Sequence, residues 1–157
     1  MLTLRYSGWA LHEELQIVQA DVYLEINGEI LIDEPMCVDV GMPALIWSAT
    51  KNIAPDRFSA PDEWAKMPFF VCGCGDPECR GYGFSIVHEG SIVHWIEVEQ
   101  NENGAPRELD RHSVELAEHR ETVRQAGEQF LMFIEGLDYR PLFADTVRVV
   151  KEGMKAL

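Results

Sequence analysis

The chain has 157 residues, 46% hydrophobic and 25% charged, the usage of one folded domain with a real core; this excludes a disordered polymer. Its 13 basic and 27 acidic side chains give a net charge of -14, and the acid is spread out: residues 1–80 carry 5 basic and 13 acidic groups, residues 81–157 carry 8 and 14. A surface of that sign repels phosphate backbones, so direct nucleic-acid binding is not expected. It draws in basic proteins instead, unless the acid serves solubility alone.

The opening run MLTLRYSGWALHEELQ has one early Arg5, no long apolar core, and acids from Glu13 onward, which is not the pattern of a secretory signal. No window reaches the apolar length of a membrane span, so no membrane association is expected and the reading is cytoplasmic. In that compartment clustered cysteines hold metal or do redox work more often than they pair.

DVYLEINGEILID predicts a hairpin, because Asn27-Gly28 suits a two-residue type I′ turn between β-rich runs. A uniform register pairs Leu24 with Leu31 and Val22 with Asp33, placing Val22, Leu24, Ile26 and Leu31 on one apolar face. MCVDVGMPALIWSA reads as a further strand that Cys37 begins and Gly41 and Pro43 interrupt. NIAPDRFSAPDEWAKMP predicts a linker or short helical turn with Ser59 or Ala60 capping and Pro61 in its first turn.

A strand, a cysteine turn and a second hairpin follow, and QNENGAPREL ends the β pattern. Leu116, Val123, Phe130, Ile134 and Leu137 then recur on one helix face, with Gly127 allowing close packing and Gly136 a stop. A last helix is expected from near Pro141, with Phe143, Val147, Val150, Met154 and Leu157 as its stripe. The fold class is α+β: a single domain, 1–157, with a mostly antiparallel sheet in the β-rich part (1–100) packed by two helices in the part 106–157.

Chemistry concentrates in FFVCGCGDPECRGYGFSIVHEGSIVHWIEVE. Cys72, Cys74 and Cys79 stand in a C-x-C-x4-C arrangement among glycines, which let the chain wrap closely around a cation. Thiolates bind zinc at about 2.3 Å, and a structural tetrahedral site wants four ligands. The fourth could come from Cys37, His88, His94 or water. Hairpin parity bears on the histidines. A two-residue turn, Gly90-Ser91, puts His88 and His94 on opposite faces; a three-residue turn, Glu89-Gly90-Ser91, puts them on one face, and only that turn makes a two-histidine site credible.

A reactive thiol is the competing reading, since Cys79 precedes Arg80, but Asp76 and Glu78 flank the same turn and negative charge raises a thiol pKa. Free cysteines in a plain connecting turn are the third.

The run CGCGDPECRGYGFSIVHEGSIVHW resembles a segment of uncharacterised bacterial proteins in which C-x-C-G-x-x-x-C precedes a hairpin ending V-x-W. The resemblance covers residues 72–95 and implies signature positions at Cys72, Cys74, Gly75, Cys79 and Trp95. It implies a built feature and no assigned activity.

Phosphate-loop, dinucleotide-binding, nucleophile-elbow and H-E-x-x-H patterns are absent from the sequence. His112 and His119 are expected two helical turns apart, about 10 Å along the axis, too far to hold one metal; Glu115 and His119 read as a solvated pair. Trp9, Trp47, Trp64 and Trp95 suit either a binding groove or the core, with Trp95 placed on a rim beside Glu97.

These features lead to an expected non-catalytic, inhibitor- or immunity-like module whose acidic surface takes a basic protein partner and whose cysteine turn holds a structural zinc. The alternatives are a metal- or thiol-dependent enzyme using the Cys72–Cys79 turn, and a nucleic-acid mimic directed at a basic DNA- or RNA-processing protein.

Overall fold

The structure, a computed structural model, describes residues 1–60, 62–72, 81–101, 104–143 and 145–157. Strands β1 (Leu2–His12), β2 (Ile17–Ile26), β3 (Glu29–Cys37), β4 (Phe70–Cys72), β5 (Gly81–Glu89), β6 (Ile92–Glu99) and β7 (Arg107–Glu115) make one seven-stranded antiparallel sheet in which spatial order equals chain order. Helix α1 (Met42–Trp47) and a short 3-10 helix (Trp64–Lys66) lie between β3 and β4; α2 (Leu116–Ile134) and α3 (Thr146–Met154) follow the sheet. The α+β reading therefore holds, with an antiparallel sheet packed by two C-terminal helices. No helix among the described residues is long and apolar enough to cross a membrane.

Alternation sets the faces. Along β2, Val22, Leu24 and Ile26 are buried while Asp21, Tyr23 and Glu25 point the other way. Asn27 and Gly28 form the expected turn, both at positive φ (51° and 88°). The register beyond it is corrected, because a bulge between Leu24 and Glu25 pairs Leu24 with Ile32 rather than Leu31. The extra residue turns Ile32 inward to 2% exposure and leaves Leu31 only half-buried.

Met36–Ala49 is corrected as well: Cys37 ends β3 rather than opening a strand, and Met42–Trp47 is helical. A six-residue apolar run has no decisive period, and Pro43, read as an interruption, sits in the helix's first turn, where it has no bond to lose. Gly41 caps that helix where a methyl group would overlap the carbonyl oxygens of Pro68 and Phe69.

The helical part does not begin at 106, since residues 107–115 are β7. Arg107–Arg111 are exposed at every position, so this edge segment carries no apolar alternation to announce it. The last helix opens at Thr146, later than expected.

The main core lies between one sheet face and α2, with Trp95, Phe69, Phe70, Phe84 and Phe130 each fully buried; burying one such side chain contributes about 1.5–3 kcal/mol. Gly127 meets the close-packing expectation: a Cβ there would lie 2.8 Å from Ile46 Cδ1. A smaller cluster of Ile17, Cys37, Val40, Met67 and Val71 covers the other face at one end. The sheet curls, bringing its first hairpin to its last strand. Asn27 Nδ2 donates to Ser113 O at 3.0 Å, and the Leu2 N–H donates to Glu118 Oε1 at 2.5 Å.

Candidate functional site

Four neighbourhoods bear on function: the cysteine corner, a buried polar network reaching from α2, a second buried polar knot at the end of β3, and the outer face of β1–β3.

At the corner, Val71 of β4 pairs with Gly81 of β5, so the loop between them leaves and returns at one ladder position. Cys72 is half-buried opposite Met36. Cys74 and Cys79 lie outside the described residues. Cys37 is opposite Val71, one residue out of phase with Cys72, and therefore faces the other side of the sheet. Its thiol donates to Asp39 Oδ1 at 3.1 Å, and burial, followed by the adjacent carboxylate, pushes its pKa far up.

Val87 pairs with His94 and His88 with Val93 across a two-residue Gly90-Ser91 turn. This excludes the three-residue alternative and with it the two-histidine shell. His88 Nε2 is 2.8 Å from Ser48 O; His94 is engaged at both nitrogens, with Ser113 Oγ at 2.8 Å and Glu89 Oε2 at 2.7 Å. Each protein candidate for a fourth metal position thus already has a partner. Among the described residues no group of three or more His, Cys, Asp or Glu side chains is assembled for a metal ion.

Sequence reasoning missed the network centred on His119. This residue is fully buried on α2 rather than solvated beside Glu115, and His112 belongs to β7, so no helical spacing relates the two. The Trp95 indole N–H donates to His119 Nδ1 at 3.1 Å; since an indole can only donate, the imidazole proton lies on Nε2. From there it reaches Ser48 O at 3.1 Å and Ser48 Oγ at 3.2 Å. Ser48 Oγ donates in turn to Leu45 O at 2.5 Å.

Desolvation drives the His119 pKa down to about 4 against the pull of the Ser48 carbonyl, with His88 and Arg120 adding to the depression. The signal was present in the chain: His119 stands three residues after Leu116 and four before Val123, inside the apolar stripe. Trp95 is wholly buried, not at a rim, and the four tryptophans line no common groove. Trp9 stacks on Phe133 at 5.5 Å, and Trp47 contacts Trp64 at 5.9 Å.

A second buried knot ties Cys37, Asp39 and Tyr139, whose hydroxyl donates to Asp39 Oδ2 at 2.6 Å. Burial raises the Asp39 pKa, and the Tyr139 and Cys37 donors counter that rise. The arrangement fastens the segment after α2 to the end of β3.

The outer face of β1–β3 is acidic. The register sets Arg5, Tyr23 and Asp33 in one row, and Ser7, Asp21 and Pro35 in the next. Asp21 and Asp33 are exposed, Glu25 is half-buried, and the Arg5 guanidinium lies 4.4 Å from the centre of the Tyr23 ring. Comparison of the chain with protein families, with curated proteins and with solved structures gives no match.

Proposed function

We propose that this is a non-catalytic acidic module that binds a basic protein, using the outer face of β1–β3, and that a zinc ion pins its cysteine turn. One observation supports the first element most directly: of the described Asp and Glu side chains only Asp39 is buried. The charge excess therefore acts outward, where it accelerates encounter with a cationic surface. Asp21, Glu25 and Asp33 stand around Tyr23, whose ring the chain's own Arg5 covers, and their carboxylates favour arginine- and lysine-rich partners.

The test is capture of basic proteins by the wild-type chain and by an Asp21→Lys, Glu25→Lys, Asp33→Lys variant, at about 50 and 300 mM salt. The reading expects a basic protein held at low salt, released at high salt and ignored by the variant. Equal capture by both chains refutes it.

The zinc pin is supported by the ladder position shared by Val71 and Gly81, which returns the loop carrying Cys74 and Cys79 to the strand that Cys72 ends. Cys72, Cys74 and Cys79 would hold the ion through thiolates, and its contribution there would be structural. Freshly purified protein is expected to carry one zinc per chain. Chelation should lower Tm and loosen the region from Val71 to Trp95 without complete unfolding, because the apolar core remains. Metal-free protein with unchanged Tm on zinc addition removes this element and leaves the first standing.

A further inference from the structure

We propose that the paired faces of Trp47 and Trp64 form a binding platform for an alkylammonium cation, which the chain's own Lys51 covers. Trp47 is the last residue of α1, and its ring is fixed from two sides. The indole N–H donates to Val149 O at 3.0 Å, and its edge rests on Gly153, where a Cβ would stand 3.1 Å from Nε1 and 3.2 Å from Cδ1. Trp64 opens the 3-10 helix, its ring centre 5.9 Å from that of Trp47 and its plane tilted by 39°. The backbone N–H of Lys51 donates to Trp47 O at 3.2 Å, which brings the Lys51 ammonium to 5.1 Å from each ring centre.

An ammonium within about 6 Å of an indole centre is attracted by the negative face of the ring, and here one cation engages two faces at once. Among the described residues Lys51 has no carboxylate in ion-pair range. It is exposed, at the end of a flexible four-carbon stem, so it can swing away from the two rings. Both indoles are half-buried, and the exposed Asp62 and Glu63 immediately precede Trp64. One anchored indole with a second beside it, a shared cation position and a displaceable resident define a site for the same chemistry presented by another molecule. The inference rests on these three side chains and does not require the acidic-module reading.

A lysine that merely shields two indoles gives no saturable exchange with a foreign cation, and this separates the two cases. The probe is tetramethylammonium chloride, titrated against an equal concentration of sodium chloride and read from the indole N–H resonances. The four resonances are assigned with single Trp→Phe variants. In Lys51→Ala, Trp47 and Trp64 are expected to shift and saturate while Trp9 and Trp95 stay still. Wild-type protein should need about fivefold more probe, since its own cation competes. Trp64→Ala in the Lys51→Ala background should abolish the Trp47 response.

Nα-acetyl-lysine methylamide identifies the source: saturation of the same resonances assigns the site to a lysine side chain of a protein, and saturation by tetramethylammonium alone assigns it to a small quaternary amine. Shifts matching the sodium chloride control, shifts shared by all four indoles, or equal affinity with and without Lys51 overturn the proposal.

Discussion

His119 is buried neutral, donating from Nε2 to Ser48 and accepting from Trp95 at Nδ1, and protonation would replace that acceptor with a second donor facing the Trp95 N–H. Its pKa is about 4 in the folded chain against 6.5 for an ordinary histidine. Between those values the unfolded chain binds more protons, so stability rises with pH through the window and falls as acid is added. At about 1.4 kcal/mol per pH unit, the separation between 6.5 and about 4 comes to about 3 kcal/mol in total. At pH 5 about 2 kcal/mol of that is already lost relative to pH 7.

Asp39 works in the opposite direction, because a carboxylate with a raised pKa takes up protons more readily when folded. The effect is isolated by comparing wild type with His119→Gln, which keeps one acceptor for Trp95 and one donor for Ser48 without a titrating ring. Urea unfolding is measured at pH 7 and pH 5. The wild-type advantage at pH 7 should shrink by about 2 kcal/mol at pH 5. A difference that is constant with pH refutes the reasoning, as does an NMR titration that finds the His119 imidazole protonating near its ordinary value.

Tyr6→Phe should stabilise the protein by about 1 kcal/mol in the same assay, because the Tyr6 hydroxyl is buried with no hydrogen-bond partner among the described residues. Tyr139→Phe should cost about 1–3 kcal/mol by taking one donor from the buried Asp39 carboxylate, and thermal unfolding should register the loss. Gly41→Ala should cost about 3 kcal/mol or more, since the new methyl group meets the backbone of Pro68 and Phe69 rather than a side chain able to move aside; soluble yield and Tm report it.

Fold class was legible because it follows from long periodic segments. The Val22–Leu24–Ile26 alternation and the Val123–Phe130 stripe each commit an element to one face. The Asn27-Gly28 turn was legible from local chemistry alone, since both residues accept positive φ. What escaped depended on distant partners. Nothing between residues 24 and 31 announces a bulge, which is fixed by the need to turn Ile32 toward a core completed by later elements. Met42–Trp47 is apolar on most sides because α2, α3 and the 3-10 helix pack around it, so its period carries no information.

The sequence also placed chemistry at the cysteines and made His119 a solvent group. In the folded chain it is His119 that sits wholly inside, its Trp95 and Ser48 partners 24 and 71 residues away. Parity did settle one question in advance: whichever turn closed the β5–β6 hairpin would decide whether His88 and His94 could meet, and the two-residue turn keeps them apart.

A sheet whose spatial order copies its chain order has a consequence during synthesis. Each strand leaving the ribosome finds its neighbour already waiting, so the ladder can grow vectorially without long searches. The flank of β1 is the exception: Leu2 is joined by Glu118 only after 116 further residues have emerged. For that interval a nascent edge lies open to stray strands. The break in register between Ser7 and Ala10, beside Gly8 at φ 61°, spoils that edge as a template and protects the half-made chain until α2 arrives.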